Sequence, residues 1–213
     1  GYTYAKGEYI AFFDSDDYIE KDMYEKLMAK VKDYNYDIVV CDLYMEYEQT
    51  GKKIYVGSNV EKEYKDVEEY NNGISIRKEI MEKIYIAVHN KIYKKKLIEK
   101  TFENGMPFVN GMYYEDIVYT YSILQNTRSI SFVKEPLYYY VQRSSSISNN
   151  YDKKLYDIIT SVEMLIENAV KNNRFEDYKD ILEYIGIRYL YGTFMKRIAK
   201  TKNKKIESKK RKK

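Results

Sequence analysis

The sequence predicts an α/β domain followed by closing C-terminal helices, and three observations carry that expectation. Short apolar runs at residues 8–13 and 37–43 have the length and aromatic or β-branched content of buried strands. Between them, Ile19, Met23, Leu27 and Val31 recur every fourth residue from Tyr18 to about Tyr34, the pattern of an amphipathic helix. Beyond residue 150 two further helical patterns close the chain.

Taken in order, the first strand ends in acids: Tyr9-Ile10-Ala11-Phe12-Phe13 runs into Asp14-Ser15-Asp16-Asp17. Helix 18–34 leads to the strand Asp37-Ile38-Val39-Val40-Cys41-Asp42-Leu43. Residues 44–60 alternate weakly about Thr50-Gly51-Lys52, as an exposed hairpin does. The strongly charged stretch 62–84 reads as one or two short surface helices. Residues 85–93 carry Tyr85-Ile86-Ala87-Val88-His89-Asn90-Lys91-Ile92-Tyr93 before a lysine-rich helix start. After Gly105-Met106-Pro107 and a loop to Gly111, Tyr113-Tyr114-Glu115-Asp116 opens a helix to about Gln125. Ile130 to Arg143 is apolar on both sides of Pro136, the mark of two short strands or a bent ribbon. The first closing helix has Leu155, Ile158, Ile159, Val162, Leu165, Ile166 and Ala169. The second has Tyr178, Ile181, Leu182, Ile185, Tyr189, Leu190 and Phe194.

Composition narrows the class. A chain of 213 residues, 44% hydrophobic and 33% charged, supports one sizeable domain with or without a small appendage. No run of 18 apolar residues occurs. The chain holds one cysteine, Cys41, in an apolar run, and one histidine; that pair makes no Cys/His zinc site and suits a reducing cytoplasm. The net charge of +4 is unevenly spread: residues 196–213 hold eleven Lys or Arg and one Glu, +10, leaving −6 for the rest. Such a tail is attracted to anionic lipid by roughly 1 kcal/mol per basic residue near the surface. RNA is a second polyanion that would attract it, a solvated terminus is the plain alternative, and no nucleic-acid partner is expected. The 27 tyrosines, with no tryptophan, accompany many Lys, Asn and Ile and reflect compositional bias.

The acids after the first strand are the most telling feature. On an extended strand Asp14 and Asp16 leave the same face. At about 6 Å and an effective dielectric near 20, two carboxylates repel by roughly 3 kcal/mol. A divalent cation turns that cost into attraction, and oxygen ligands suit Mg²⁺ or Mn²⁺. Acids at a strand end also serve to start a helix. Asp17, with Glu20 three residues on, fits a capping box. The two roles are compatible, Asp17 capping while Asp14 and Asp16 bind the ion.

Four segments, in this order, resemble the family-2 glycosyltransferases of bacterial surface-polysaccharide synthesis. Lys6-Gly7-Glu8-Tyr9-Ile10 followed by Asp14-Ser15-Asp16-Asp17 resembles their Gly-Glu-Tyr-Ile strand and DxD motif. Asn90-Lys91-Ile92-Tyr93 followed by Leu97-Ile98 resembles their Asn-Lys-Leu-Tyr segment. Tyr114-Glu115-Asp116-Ile117 resembles their Glu-Asp motif, and Tyr140-Val141-Gln142-Arg143 with Ser146-Ile147-Ser148 their Tyr-x-x-Arg…Ser-Ile-Ser segment. The resemblance covers about residues 1–150 and implies the later portion of a GT-A domain with a mixed sheet, residues 151–213 being a helical extension with the basic tail. In that family a β/α half that reads the nucleotide base precedes the DxD strand. Two β-α-β steps need about 60–90 residues, so the chain is expected to lack that half.

The resemblance implies metal-dependent, inverting transfer of a sugar from a nucleotide diphosphate, a UDP-sugar first, to a saccharide or lipid-linked acceptor. Asp14 and Asp16 would hold Mn²⁺ or Mg²⁺, Asp16 being the more direct ligand. Asp116 would be the general base. Arg143 and Ser146 would meet the donor diphosphate, while Glu115, Asn90 and Lys91 would lie on the acceptor side. His89 stands where the family has an aromatic and is expected to pack rather than ligate. The expected location is cytoplasmic, peripheral at the inner face of the membrane. Two other readings remain. An apolar strand ending Asp-x-Asp also opens haloacid dehalogenase-like phosphatases, although Asp17-Tyr18 departs from their pattern. A remnant without its nucleotide-binding half would act as an interaction or membrane-docking module.

Overall fold

A computed structural model describes residues 2–67, 73–102, 108–143 and 153–199. A 3₁₀ turn, Tyr2–Tyr4, precedes strand β1 (Tyr9–Ala11) and a two-residue strand β2 (Tyr18–Ile19). Helix α1 (Met23–Asp33) leads to β3 (Ile38–Tyr47) and β4 (Lys52–Val56), and α2 (Gly73–Lys83) to β5 (Lys91–Lys94) and α3 (Lys95–Thr101). Then come α4 (Glu115–Asn126), β6 (Ile130–Gln142), α5 (Asp157–Lys171) and α6 (Phe175–Ile187), whose last turns continue as a π-helix over Arg188–Met195.

The strands form one sheet in the order β1-β5-β3-β6-β2, with β4 pairing the far end of β3. Pairing is antiparallel except for β3 and β6, which run parallel. The expected α/β class with a mixed sheet is therefore the observed one. Residue alternation along β3 explains its unbroken apolar run. Ile38 and Val40 enter the core beneath α2–α6, while Val39, Cys41 and Leu43 enter a second core beneath α1. Helices α5 and α6 share the first core through Ile158, Leu165, Tyr178 and Ile185. At the β3–β4 turn Gly51 adopts φ +64, where a side chain would be strained.

Three expectations change. The helix does not start at Tyr18, because Tyr18 and Ile19 pair with Tyr139 and Tyr138 of β6. Helix α1 follows Asp22, and the proposed capping box does not form: Glu20 accepts from Tyr139 Oη at 2.6 Å instead. The 62–84 stretch contains, among the described residues, a helix with a buried face of Arg77, Ile80 and Met81 rather than a surface helix. Residues 130–142 are one strand whose register shifts opposite Asp42, beside Pro136, so the bent ribbon is the form adopted.

Candidate active site

Phe12 and Phe13 fix the acidic segment from opposite sides. Phe12 meets Tyr119 and Phe108 edge-on at 5.3 and 5.0 Å in the helical core, while Phe13 meets Tyr138 at 6.0 Å. The strand ends at Ala11 and the chain then turns, with the Asp17 amide donating to the Asp14 carbonyl at 3.1 Å. Asp14 and Asp16 therefore do not leave one strand face, contrary to the expectation from the sequence. Asp14 instead gathers with Asp17 and His89, whose potential ligand atoms all lie within 4.8 Å of one another.

Each member of the group is held. Asp17 accepts from Tyr138 Oη at 2.7 Å and from the Val141 amide at 2.8 Å. Burial nevertheless outweighs those donors and raises its pKa. His89 stacks on Tyr138 at 4.1 Å and lies at 5.2 Å from the Tyr140 ring, so it packs as expected. It also faces a carboxylate: His89 Nδ1 lies 3.4 Å from Asp14 Oδ2, and its hydrogen bond lowers the Asp14 pKa. His89 Nε2 is buried with no partner among the described residues.

The loop carrying His89 is fastened by buried polar groups. Lys91 Nζ donates to the carbonyls of Tyr85 and Ala87 at 2.7 and 2.5 Å and to Asn90 Oδ1 at 2.7 Å. Asn90 Nδ2 donates to the Cys41 carbonyl at 2.5 Å, and Tyr93 Oη to the Val88 carbonyl at 3.3 Å. Burial lowers the Lys91 pKa to about 7. A neutral amine has only two hydrogens, so the three acceptors favour the ammonium. Asn90 and Lys91 are 2% and 1% exposed, and their side chains are engaged within the fold. They tie β5 to the loop and hold His89 in register.

Glu115 and Asp116 open α4 behind Tyr114, whose φ of 63 is left-handed. Arg197 donates to Tyr114 Oη, and its guanidinium lies 5.2 Å from the ring, so the C-terminal helix braces this turn. A helix N-terminus favours carboxylates. Here burial wins, followed by the neighbouring Glu115 charge, and Asp116 is pushed up to about 7. Asp116 is partly exposed as a residue, while its carboxyl is desolvated. Glu115 is raised by burial and by the charge of Asp14. Tyr85 and Tyr140 both sense the charges of Asp116 and Asp17. One electrostatic neighbourhood thus joins the α4 acids to the Asp14–Asp17–His89 group.

Asp16 is not a member of that group. Arg143 Nη1 binds Asp16 Oδ2 at 2.8 Å, Nη2 binds the Asp16 carbonyl at 2.7 Å, and Nε reaches Glu48 Oε1 at 3.1 Å. Ser146 and Ser148 lie outside the described residues, as does the tail from 200 onward. Sequence reasoning treated Asp17 as a cap and His89 as packing. The adjoining third acid was a signal for Asp17, whereas nothing local could bring His89 to a turn 72 residues before it. Two carboxylates with an imidazole fit a divalent cation, and Nδ1, the nitrogen that faces Asp14, is the atom a cation shared with that carboxylate would take.

Residues 1–102 match the family model for glycosyl transferase family 2. The chain is 32% identical over 187 residues to the putative glycosyltransferase EpsH of Bacillus subtilis, spanning 86% of this chain and 52% of EpsH. It is 26% identical over 201 residues to glycosyltransferase GlyG of Streptococcus pneumoniae, spanning 86% of this chain and 65% of GlyG. Among solved structures, residues 1–349 of S. aureus TarS in complex with UDP-GlcNAc superpose with a TM-score of 0.54 at 20% identity, covering 87% of this chain and 52% of that one. That likeness shows the shared fold. The chain spans about half the length of EpsH and of that TarS fragment.

Proposed function

Since the chain belongs to the family-2 glycosyltransferases, we propose that it supplies the metal and acceptor sides of an inverting transfer from a nucleotide-diphosphate sugar to an acceptor hydroxyl. The observation that carries this reading is the shared charge field of the Asp14–Asp17–His89 group and the raised carboxyl of Asp116. A UDP-sugar is the proposed donor, in keeping with the UDP-GlcNAc bound to TarS. A saccharide or lipid-linked saccharide is the proposed acceptor, in surface-polysaccharide synthesis.

Asp14, Asp17 and His89 would hold Mn²⁺ or Mg²⁺, with the imidazole favouring Mn²⁺. That ion would supply charge neutralisation for the leaving diphosphate. Asp116 takes the acceptor proton as the hydroxyl oxygen bonds to the anomeric carbon and the bond from that carbon to the diphosphate breaks. A base with a pKa near 7 is half ionised at neutral pH, where proton transfer is most effective. Arg143, with Ser146, would meet the diphosphate. Because Arg143 holds Asp16 in the free protein, a diphosphate that engages the guanidinium releases Asp16 toward the cation.

The test is release of UDP from UDP-GlcNAc, UDP-glucose and UDP-galactose by the full-length protein with Mn²⁺, and with EDTA. Metal-dependent release from one donor is expected; release from none of these or other nucleotide sugars would contradict the reading. Arg143→Ala is expected to raise the donor KM about tenfold. An unchanged KM would remove Arg143 from the diphosphate site.

A further inference from the structure

We propose that the exposed stripe of α6 and its π-helical continuation is a docking face for an anionic lipid bilayer. Tyr184, Ile187, Tyr191 and Met195 follow one another three, four and four residues apart and are 44, 61, 72 and 51% exposed. The inner side of the same helix is satisfied: Tyr178, Ile181, Leu182, Ile185 and Tyr189 fill the core. The outer stripe is thus surplus to packing, and a protein surface rarely leaves such a run uncovered.

Charge identifies the occupant. The first turns of α6 carry Glu176, Asp177, Asp180 and Glu183, but residues 184–199 contain no acid and include Arg188, Lys196 and Arg197. The next residues continue the +10 segment that begins at Lys196. Arg188 also reaches the Glu82 carbonyl at 3.4 Å, and Arg197 braces Tyr114, so among the described residues the exposed Lys196 adds outward charge beside the stripe. Apolar side chains flanked by bases, with tyrosine among them, form a surface that lies in the headgroup region of a negatively charged membrane. A second copy is a poor occupant, since two such faces would bring two basic segments together. Among the described residues no helix is long and apolar enough to cross a membrane, so the contact is peripheral.

The test is co-sedimentation of the 213-residue chain with phosphatidylcholine vesicles and with vesicles containing phosphatidylglycerol. Binding to the anionic vesicles is expected, weaker in high salt and about tenfold weaker for Ile187→Glu with Tyr191→Glu. The single variant Tyr191→Ser, at the most exposed position of the stripe, is expected to weaken binding while melting with the parent, which guards against misfolding. Three results would overturn the proposal: no binding to anionic vesicles, undiminished binding by the folded variants, or self-association of the parent that the double substitution abolishes. The second would assign lipid attraction to the basic segment alone, and the third would make the stripe an interface between copies.

Discussion

Asp116→Asn is expected to lower kcat for sugar transfer by about 10²–10⁴ with little change in donor KM, the loss typical of a missing general base. The same substitution tests the environment. The folded pKa of Asp116, about 7, lies above its ordinary value of 3.8. The folded state therefore holds a proton that the unfolded chain has released between about pH 4 and 7. Stability falls as pH rises through that window, and the ionised carboxyl is a burden above it. Asparagine cannot ionise, so at pH 8 the variant is expected to be more stable than the parent, by on the order of 1–3 kcal/mol once partial solvent access is allowed for. The parent's kcat should fall tenfold per pH unit below about 7. A variant that loses activity and stability together would make Asp116 structural; one that keeps full activity would place the base elsewhere.

Lys91→Met is expected to destabilise the fold by about 2–4 kcal/mol, a drop in melting temperature of roughly 5–15 °C. Methionine matches the volume but abandons three oxygens in a buried site: the Tyr85 and Ala87 carbonyls and Asn90 Oδ1. Each unsatisfied acceptor costs about 1–3 kcal/mol, and relief from burying an ammonium offsets only part of the sum. Since those bonds hold the loop of His89, Mn²⁺ affinity should weaken as well. Urea unfolding of parent and variant decides the matter. Unchanged or greater stability would mean that the buried ammonium is a net cost and that Asn90 and Tyr93 suffice to hold the loop.

What the sequence made legible was what local pattern controls. The two-faced apolar run of β3, the four-residue spacing of α1 and the periodicity of α5 and α6 each report burial by neighbours close in the chain. Strand β2 was hidden because two residues carry no period; its existence depends on Tyr138 and Tyr139, some 120 residues later. That same pairing displaced Asp17 from a helix cap to a bond with Tyr138. Lys91 was hidden for another reason. Lysine is ordinarily exposed, and only the fold supplies the three oxygens that allow it inside. At the site, the residue types were readable while their partners were not: Asp16 meets Arg143, and Asp14 lies beside Asp17 and His89.

The most direct measurement for the proposed metal centre is Mn²⁺ binding in the presence of UDP, followed by the electron paramagnetic resonance of the free ion. The parent chain is expected to remove Mn²⁺ from solution, and Asp14→Asn with Asp17→Asn to weaken that uptake at least about ten- to a hundredfold, with the fold confirmed by circular dichroism. Equal uptake by parent and double variant, or none by either, would contradict a cation held by Asp14, Asp17 and His89.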